Sequence, residues 1–128
     1  RYTSIDIGAD SLARISYIKG GIYLKFARCT NADCTTKVIT QVNSISQSAF
    51  TSLALDSNEL ARIVYMDSTN ENIKLSQCLD IDCSDSTTFV VSTEGYRPSL
   101  VLDSNGSAMI IYSVDSGGYP LKFAKQNW

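Results

Sequence analysis

Apolar and polar residues alternate along most of this chain: Ile5 and Ile7, then Ala13, Ile15 and Tyr17, then Leu24 and Phe26, and an apolar Val38-Ile39 run before Val42. A period of two places successive side chains on opposite faces of a pleated strand. No segment carries a 3.6-residue apolar period, so the pattern predicts an all-β chain. Turn formers separate the strands, as in Gly8-Ala9-Asp10-Ser11, Lys19-Gly20-Gly21, Asp56-Ser57-Asn58, Asp67-Ser68-Thr69-Asn70, Asp103-Ser104-Asn105-Gly106 and Asp115-Ser116-Gly117-Gly118. Asp and Asn fold a side-chain oxygen onto the local backbone and Gly supplies positive φ, so these clusters are expected to close hairpins.

The pattern also repeats. Thr3-Ser4-Ile5 through Leu12-Ala13-Arg14-Ile15-Ser16-Tyr17 recurs 48 residues on as Thr51-Ser52-Leu53 through Leu60-Ala61-Arg62-Ile63-Val64-Tyr65. A third copy, Pro98-Ser99-Leu100 through Ala108-Met109-Ile110-Ile111-Tyr112, follows at an offset of 47. Each copy runs on into Leu24-Lys25-Phe26, Ile73-Lys74-Leu75 or Leu121-Lys122-Phe123. Residues 1–128 therefore read as one repeat domain with units of about 1–48, 49–95 and 96–128. A period near 47 signals a solenoid, an array or propeller blades. Units of four short antiparallel strands fit a β-propeller best, because radial packing buries both faces of each sheet. A β-sandwich is the alternative, but it has no need of near-identical turns in three successive units.

The second strand face becomes more apolar from copy to copy: Asp6, Ala54, Val101; Arg14, Arg62, Met109; Ser16, Val64, Ile111. On that trend, the first unit is expected to carry the more solvated face. At Ser52-Leu53-Ala54-Leu55-Asp56, Ala61-Arg62-Ile63-Val64-Tyr65, Ile73 to Cys78 and Ser99 to Gly106, the chain resembles bacterial secreted propeller repeats of the sialidase-like type, over its whole length. The resemblance implies propeller blades. It implies less about activity, since such repeats occur in lectins, glycosidases, adhesins and surface proteins. The Asp-box of sialidases, Ser-x-Asp-x-Gly-x-Thr-Trp, is not matched at Asp103-Ser104-Asn105-Gly106.

The third unit stops after its third strand, so about 2.75 blades are expected, fewer than a ring needs. The partners expected are therefore other blades, from the remainder of a longer chain or from a homo-oligomer. The start at Arg1 without a methionine favours a processed or longer parent.

Composition narrows the chemistry. The 128 residues are 44% apolar with a net charge of −2, which leaves no positive excess to neutralise a phosphate backbone, so nucleic acid is not an expected partner. No apolar run is long enough to cross a bilayer as a helix, and no membrane insertion is expected. Histidine is absent, which removes the commonest general base and most catalytic zinc sites.

The cysteines form two equal motifs, Cys29 to Cys34 and Cys78 to Cys83. A disulfide across each loop is expected, worth roughly 2 kcal/mol by loop closure, and it implies an oxidising, extracellular or cell-surface location. Zinc is the competing reading, but the two pairs lie 49 residues apart on different units. No cofactor is expected: a haem-attachment pair needs a following His, where Thr35 and Ser84 stand. The acidic clusters at Asp67 to Asn72 and Asp80 to Asp85 lack the ligand spacing of a calcium loop, so no metal is expected. Gln126 takes the first-cysteine position of the third unit.

Arg14 and Arg62 hold equivalent positions, and paired guanidinium groups can grip a sugar carboxylate; pairing with a turn carboxylate is the alternative. Asp6, Tyr23, Tyr119 and Trp128 complete the ligand-binding candidates, because they break the repeat pattern, whereas Tyr17, Tyr65 and Tyr112 share a core position. Asn105-Gly106-Ser107 matches a glycosylation acceptor. Together these point to a non-catalytic extracellular module that binds carbohydrate or protein, or acts as a scaffold. The alternatives are part of a sialidase-like carbohydrate-active enzyme and a self-assembling structural subunit.

Overall fold

A computed structural model describes residues 2–44, 50–115, 117–118 and 120–126. Tyr119 and Trp128 lie outside the described residues. The described residues are all β, with no helix among them. The strands are β1 (Thr3–Ile7), β2 (Ala13–Lys19), β3 (Tyr23–Cys29), β4 (Lys37–Ser44), β5 (Thr51–Leu55), β6 (Ala61–Asp67), β7 (Asn72–Cys78), β8 (Ser86–Ser92), β9 (Tyr96–Leu102), β10 (Ala108–Ser113) and β11 (Leu121–Lys125). They form three antiparallel meanders, β1-β2-β3-β4, β5-β6-β7-β8 and β9-β10-β11, which are propeller blades.

The blades superimpose in sequence because their registers match. Ile5 lies opposite Ile15, Leu53 opposite Ile63 and Leu100 opposite Ile110. The same irregularity interrupts the third and fourth strands of both complete blades, between Leu24 and Lys25 and between Ile73 and Lys74. The first hairpin of every blade closes with one geometry. Ser11, Glu59 and Gly106 occupy its left-handed position, at φ of 65°, 65° and 79°. Their amides donate to the carbonyls of Gly8, Asp56 and Asp103 over 2.9 to 3.0 Å.

Two apolar layers hold the stack together. One face of the first blade (Ile18, Leu24, Phe26) packs on Leu53, Ala61, Ile63 and Tyr65 of the second. The other face of the second blade (Val64, Met66, Ile73, Leu75) packs on Leu100, Ala108 and Ile110 of the third. Each layer is shared by two sheets, so neither sheet is stable without its neighbour, as expected for stacked repeats. Tyr65 is wholly buried, while Tyr17 and Tyr112 are half-buried.

The trend toward a more apolar second face does not translate into less solvent. Asp6 and Ser16, on the polar face of the first blade, are half-buried and buried, whereas Val101 and Ile111, at the equivalent positions of the third, are exposed. Burial there depends on having a neighbouring blade, and the polar groups tolerate it because they are partnered. Ser16 Oγ accepts a 3.0 Å bond from Thr51 Oγ1, Ser4 Oγ one from the Leu53 amide at 3.0 Å, and Asp6 Oδ2 one from the Leu55 amide at 2.9 Å. Ser52 Oγ repeats the device with the Leu100 amide at 3.1 Å.

Candidate functional site

A cleft of about 520 Å³ opens where the innermost strands of the second and third blades begin, lined by Phe50, Tyr96, Arg97, Ser113 and Asp115. Phe50 immediately precedes β5, Tyr96 and Arg97 open β9, Ser113 ends β10 and Asp115 lies just beyond it. The blade stack brings these five together from three separate stretches of chain. The Phe50 carbonyl accepts the Met66 amide at 3.2 Å, which ties the cleft wall to β6. Ser113 Oγ donates to the Tyr96 carbonyl at 3.3 Å.

The cleft has aromatic walls and one cation. The Tyr2 and Phe50 ring centroids lie 4.3 Å apart, and the Arg97 guanidinium stands 5.7 Å from the Phe50 ring centroid. Arg97 is exposed and has a left-handed backbone, φ 52°. Such a conformation costs a non-glycine residue about 1–2 kcal/mol and often marks a place where side-chain direction matters. Asp115 is exposed and lines the same cleft, which therefore offers guanidinium donors, a carboxylate acceptor and apolar ring faces. That set matches the edge and face chemistry of a sugar.

Other carboxylates near this end serve the fold. Asp67 is buried, and its Oδ2 accepts from Lys74 Nζ at 3.0 Å and Asn70 Nδ2 at 2.9 Å. Burial pushes its carboxyl upward, but the Asn70, Lys74 and Thr69 donors outweigh it, and the group is held below the usual carboxylate range. It therefore stays ionised and fixes the β6–β7 turn.

The residues singled out in the sequence do not converge. The Arg14 guanidinium is buried, forked onto the Asp10 carboxylate at 2.9 and 3.0 Å, with Glu59 3.9 Å away on the next blade. Arg62 binds Asp56 at 3.2 Å and Gln126 Oε1 at 3.2 Å. Both arginines hold hairpins and blade contacts, following the turn-carboxylate alternative. Asp6 bridges two blades through the Leu55 amide, and Tyr23 stands exposed on the outer face of the first blade beneath Lys25. Cys29–Cys34 and Cys78–Cys83 are disulfides, which removes their thiolates from any zinc site. The second loop is clasped from the neighbouring blade by Arg28, whose Nε lies 2.6 Å from Asp82. Gln126 is buried, accepting from the Ala108 amide at 3.1 Å as well as from Arg62. Among the described residues, no group of three or more His, Cys, Asp or Glu is arranged to hold a metal ion. Among the described residues, no helix is long and apolar enough to cross a membrane.

The cleft residues went unmarked in the sequence. Phe50 and Arg97 are single residues at blade junctions, and only the repeat alignment, which sets positions 2, 50 and 97 beside the starts of successive innermost strands, gave a usable signal.

No family model matches the chain. No curated protein matches it either. Among solved structures, it is similar to one described as a bifunctional GH43-CE protein of Bacteroides eggerthii, at 11% identity and a TM-score of 0.70. The match covers 98% of this chain and 19% of the other, so the chain spans about a fifth of that protein's length. As to fold, the likeness at this identity supports the propeller and nothing finer. It overturns the expectation of a chain with no part in catalysis, because the protein that shares this arrangement is a bifunctional glycoside hydrolase and esterase. That expectation rested on the missing histidine and the missing Asp-box. Glycoside hydrolysis runs on paired carboxylates and requires neither.

Proposed function

We propose that this chain forms propeller blades of a secreted carbohydrate-active enzyme, and that the cleft between its second and third blades holds part of a sugar chain. The observation that carries the reading is the cleft itself: aromatic rings, a guanidinium and a carboxylate grouped at the mouth of the innermost strands. The likeness to the GH43-CE protein supports it at the level of architecture. The two disulfides support an oxidising, extracellular setting.

In this reading, a pyranose or furanose ring lies against Phe50 and Tyr96, Arg97 donates to ring or hydroxyl oxygens, and Asp115 accepts from a hydroxyl. Asp115 is the single carboxylate among the described residues that line the cleft. Hydrolysis of a glycoside takes two carboxyl groups, about 5–10 Å apart. Asp115 is therefore one member of such a pair at most, and substrate positioning is the task the described cleft can perform alone. The Arg14 and Arg62 guanidinium groups are engaged internally, so the substrate class is drawn broadly as glycans and not narrowed to sialic acids.

The test is titration of the chain with soluble oligosaccharides of differing sugar and linkage, followed by tyrosine fluorescence and NMR, alongside aryl glycoside and aryl ester assays. Saturable shifts centred on Tyr96, Arg97 and Ser113 are expected with at least one glycan. Arg97→Ala, an exposed substitution, should weaken that binding about tenfold, the loss of roughly 1.5 kcal/mol for a charged hydrogen bond. Absence of both binding and turnover across the panel would refute the reading.

A further inference from the structure

The two outermost sheet faces of the stack are open, and each is a repeat-equivalent of a face that is buried inside it. On the third blade, Leu121 and Phe123 align with Ile73 and Leu75 of the second and with Leu24 and Phe26 of the first. All four counterparts are fully buried against the next blade. Leu121 and Phe123 are 70% and 58% exposed, with Val101 and Ile111 exposed beside them. On the first blade, Ile5, Ala13, Ile15 and Tyr17 align with Leu53, Ala61, Ile63 and Tyr65, the residues that receive those side chains. There Ile5 and Ile7 are 61% and 57% exposed, and Ile39 is exposed on the same face.

Polar groups are matched as well. At both internal junctions, a serine of one innermost strand accepts the backbone amide of the next: Ser4 from Leu53, then Ser52 from Leu100. Ser99 is the third serine of that series. It is exposed, and its hydroxyl has no hydrogen bond among the described residues. The equivalent donor at the other end is the Ile5 amide. The Ile5–Ile15 register matches Leu53–Ile63 and Leu100–Ile110, which turns that N–H toward the open edge of β1.

We propose that the open face of β9–β11 docks the open face of β1–β4 of a second copy of this chain, head to tail, with Ser99 Oγ accepting the Ile5 amide of the partner. The interface is heterologous, so repeating it must end either in a ring or in an open filament. Propeller rings hold about 4–8 blades. Two chains of three sheets each give six, within that range. A closed two-copy ring then buries every open face, and it does so with contacts of a kind already present twice in each copy. This inference is independent of the sugar-binding reading.

The experiment is light scattering coupled to size exclusion on the 128-residue chain, from about 1 to several hundred µM, with hydrogen exchange at the Ile5 amide. A species of twice the 14.0 kDa chain mass that stops growing with concentration, with Ile5 protected, is expected. Val101→Arg and Ile7→Asp change exposed residues on opposite faces. Each alone should return the protein to a folded monomer by circular dichroism, and Ser99→Ala should weaken association about tenfold. A wild-type chain that stays monomeric and folded at several hundred µM would overturn the proposal, leaving these faces to blades of another polypeptide. So would a dimer indifferent to both charged variants. Unlimited growth into filaments would overturn the ring.

Discussion

Ser11 and Glu59 sit in left-handed backbone geometry that Gly106 adopts at the same place in the third blade. Only Gly does so without a Cβ penalty. Glu59 recovers part of the cost, because its Oε1 accepts the Ala9 amide at 3.0 Å, across the blade junction. Ser11 is exposed and its side chain makes no such contact among the described residues. Ser11→Gly should therefore raise stability by about 0.5–1 kcal/mol, the strain relieved less the added unfolded-state freedom, readable as a higher urea midpoint with unchanged slope. Gly95 presents the reverse case. Its φ is 143°, and a methyl group there would lie 2.7 Å from Tyr112 Cδ2 and 2.9 Å from Ile73 Cγ1, inside the second apolar layer. Gly95→Ala should cost about 2–4 kcal/mol through backbone strain and overpacking combined, and a midpoint within error of wild type would contradict it. The turn at Gly106 was legible in the sequence because Asp-Ser-Asn-Gly declares its backbone. The turns holding Ser11 and Glu59 were legible too, from Gly8-Ala9-Asp10-Ser11 and Asp56-Ser57-Asn58, but their left-handed positions were not, since Ser and Glu prefer other conformations.

The loops that join strands are held by ionised carboxylates. Asp80 accepts from the Ser84 hydroxyl at 2.6 Å and from the amides of Asp82, Ser84 and Asp85 at 3.0 Å. Those bonds, the Ser84 hydroxyl foremost, hold its carboxyl below the ordinary value. Asp103 is lowered in the same sense, first by the Ser107 amide, and Asp33 by the Thr35 hydroxyl. A carboxyl depressed in the folded state stabilises the fold above its unfolded value near 3.9, and that contribution fades as pH falls through the folded value. Thermal stability should thus be flat from neutral pH to about 5 and decline below about 4, with Asp80→Asn flattening the acid limb. An acid limb of unchanged steepness in that variant would count against the assignment. Reduction removes the other brace of the same loops. Each short disulfide is worth roughly 2 kcal/mol, so a reductant should lower the midpoint without abolishing the sheets, since Cys29 and Cys78 are buried ends of strands already paired in their sheets. Strands, hairpins and cysteine pairing were readable from alternation and spacing, both being local in sequence. The roles of Arg14 and Arg62 depended on which carboxylate lay nearby in space.

At the scale of the molecule, burial is decided by position in the stack and not by residue type, which is why chemically similar side chains have different fates. Leu75 and Phe123 hold equivalent positions on β7 and β11, yet Leu75 is fully enclosed and Phe123 largely exposed. The repeat was legible in the sequence, and so was the propeller it builds. The cleft was not, because Phe50, Arg97 and Asp115 come together only when the second and third blades stack. The same dependence gives a sharp contrast between two truncations. Leu75→Ala opens a cavity between the second and third blades and should cost about 2–5 kcal/mol at any protein concentration. Because the layer it belongs to also supports the floor of the cleft through Phe50, it should weaken glycan binding in step with stability. Phe123→Ala removes a larger side chain from an open face, and in the monomer it should change stability by no more than about 0.5 kcal/mol. If a second copy covers that face, the penalty reappears as chain concentration rises, so the midpoint difference from wild type widens from dilute to concentrated samples. Urea denaturation of both variants at two concentrations about a hundredfold apart separates these effects. A concentration-independent loss for Phe123→Ala as large as that for Leu75→Ala would mean that the third blade's outer face is already buried within a single chain, contrary to the stacking described.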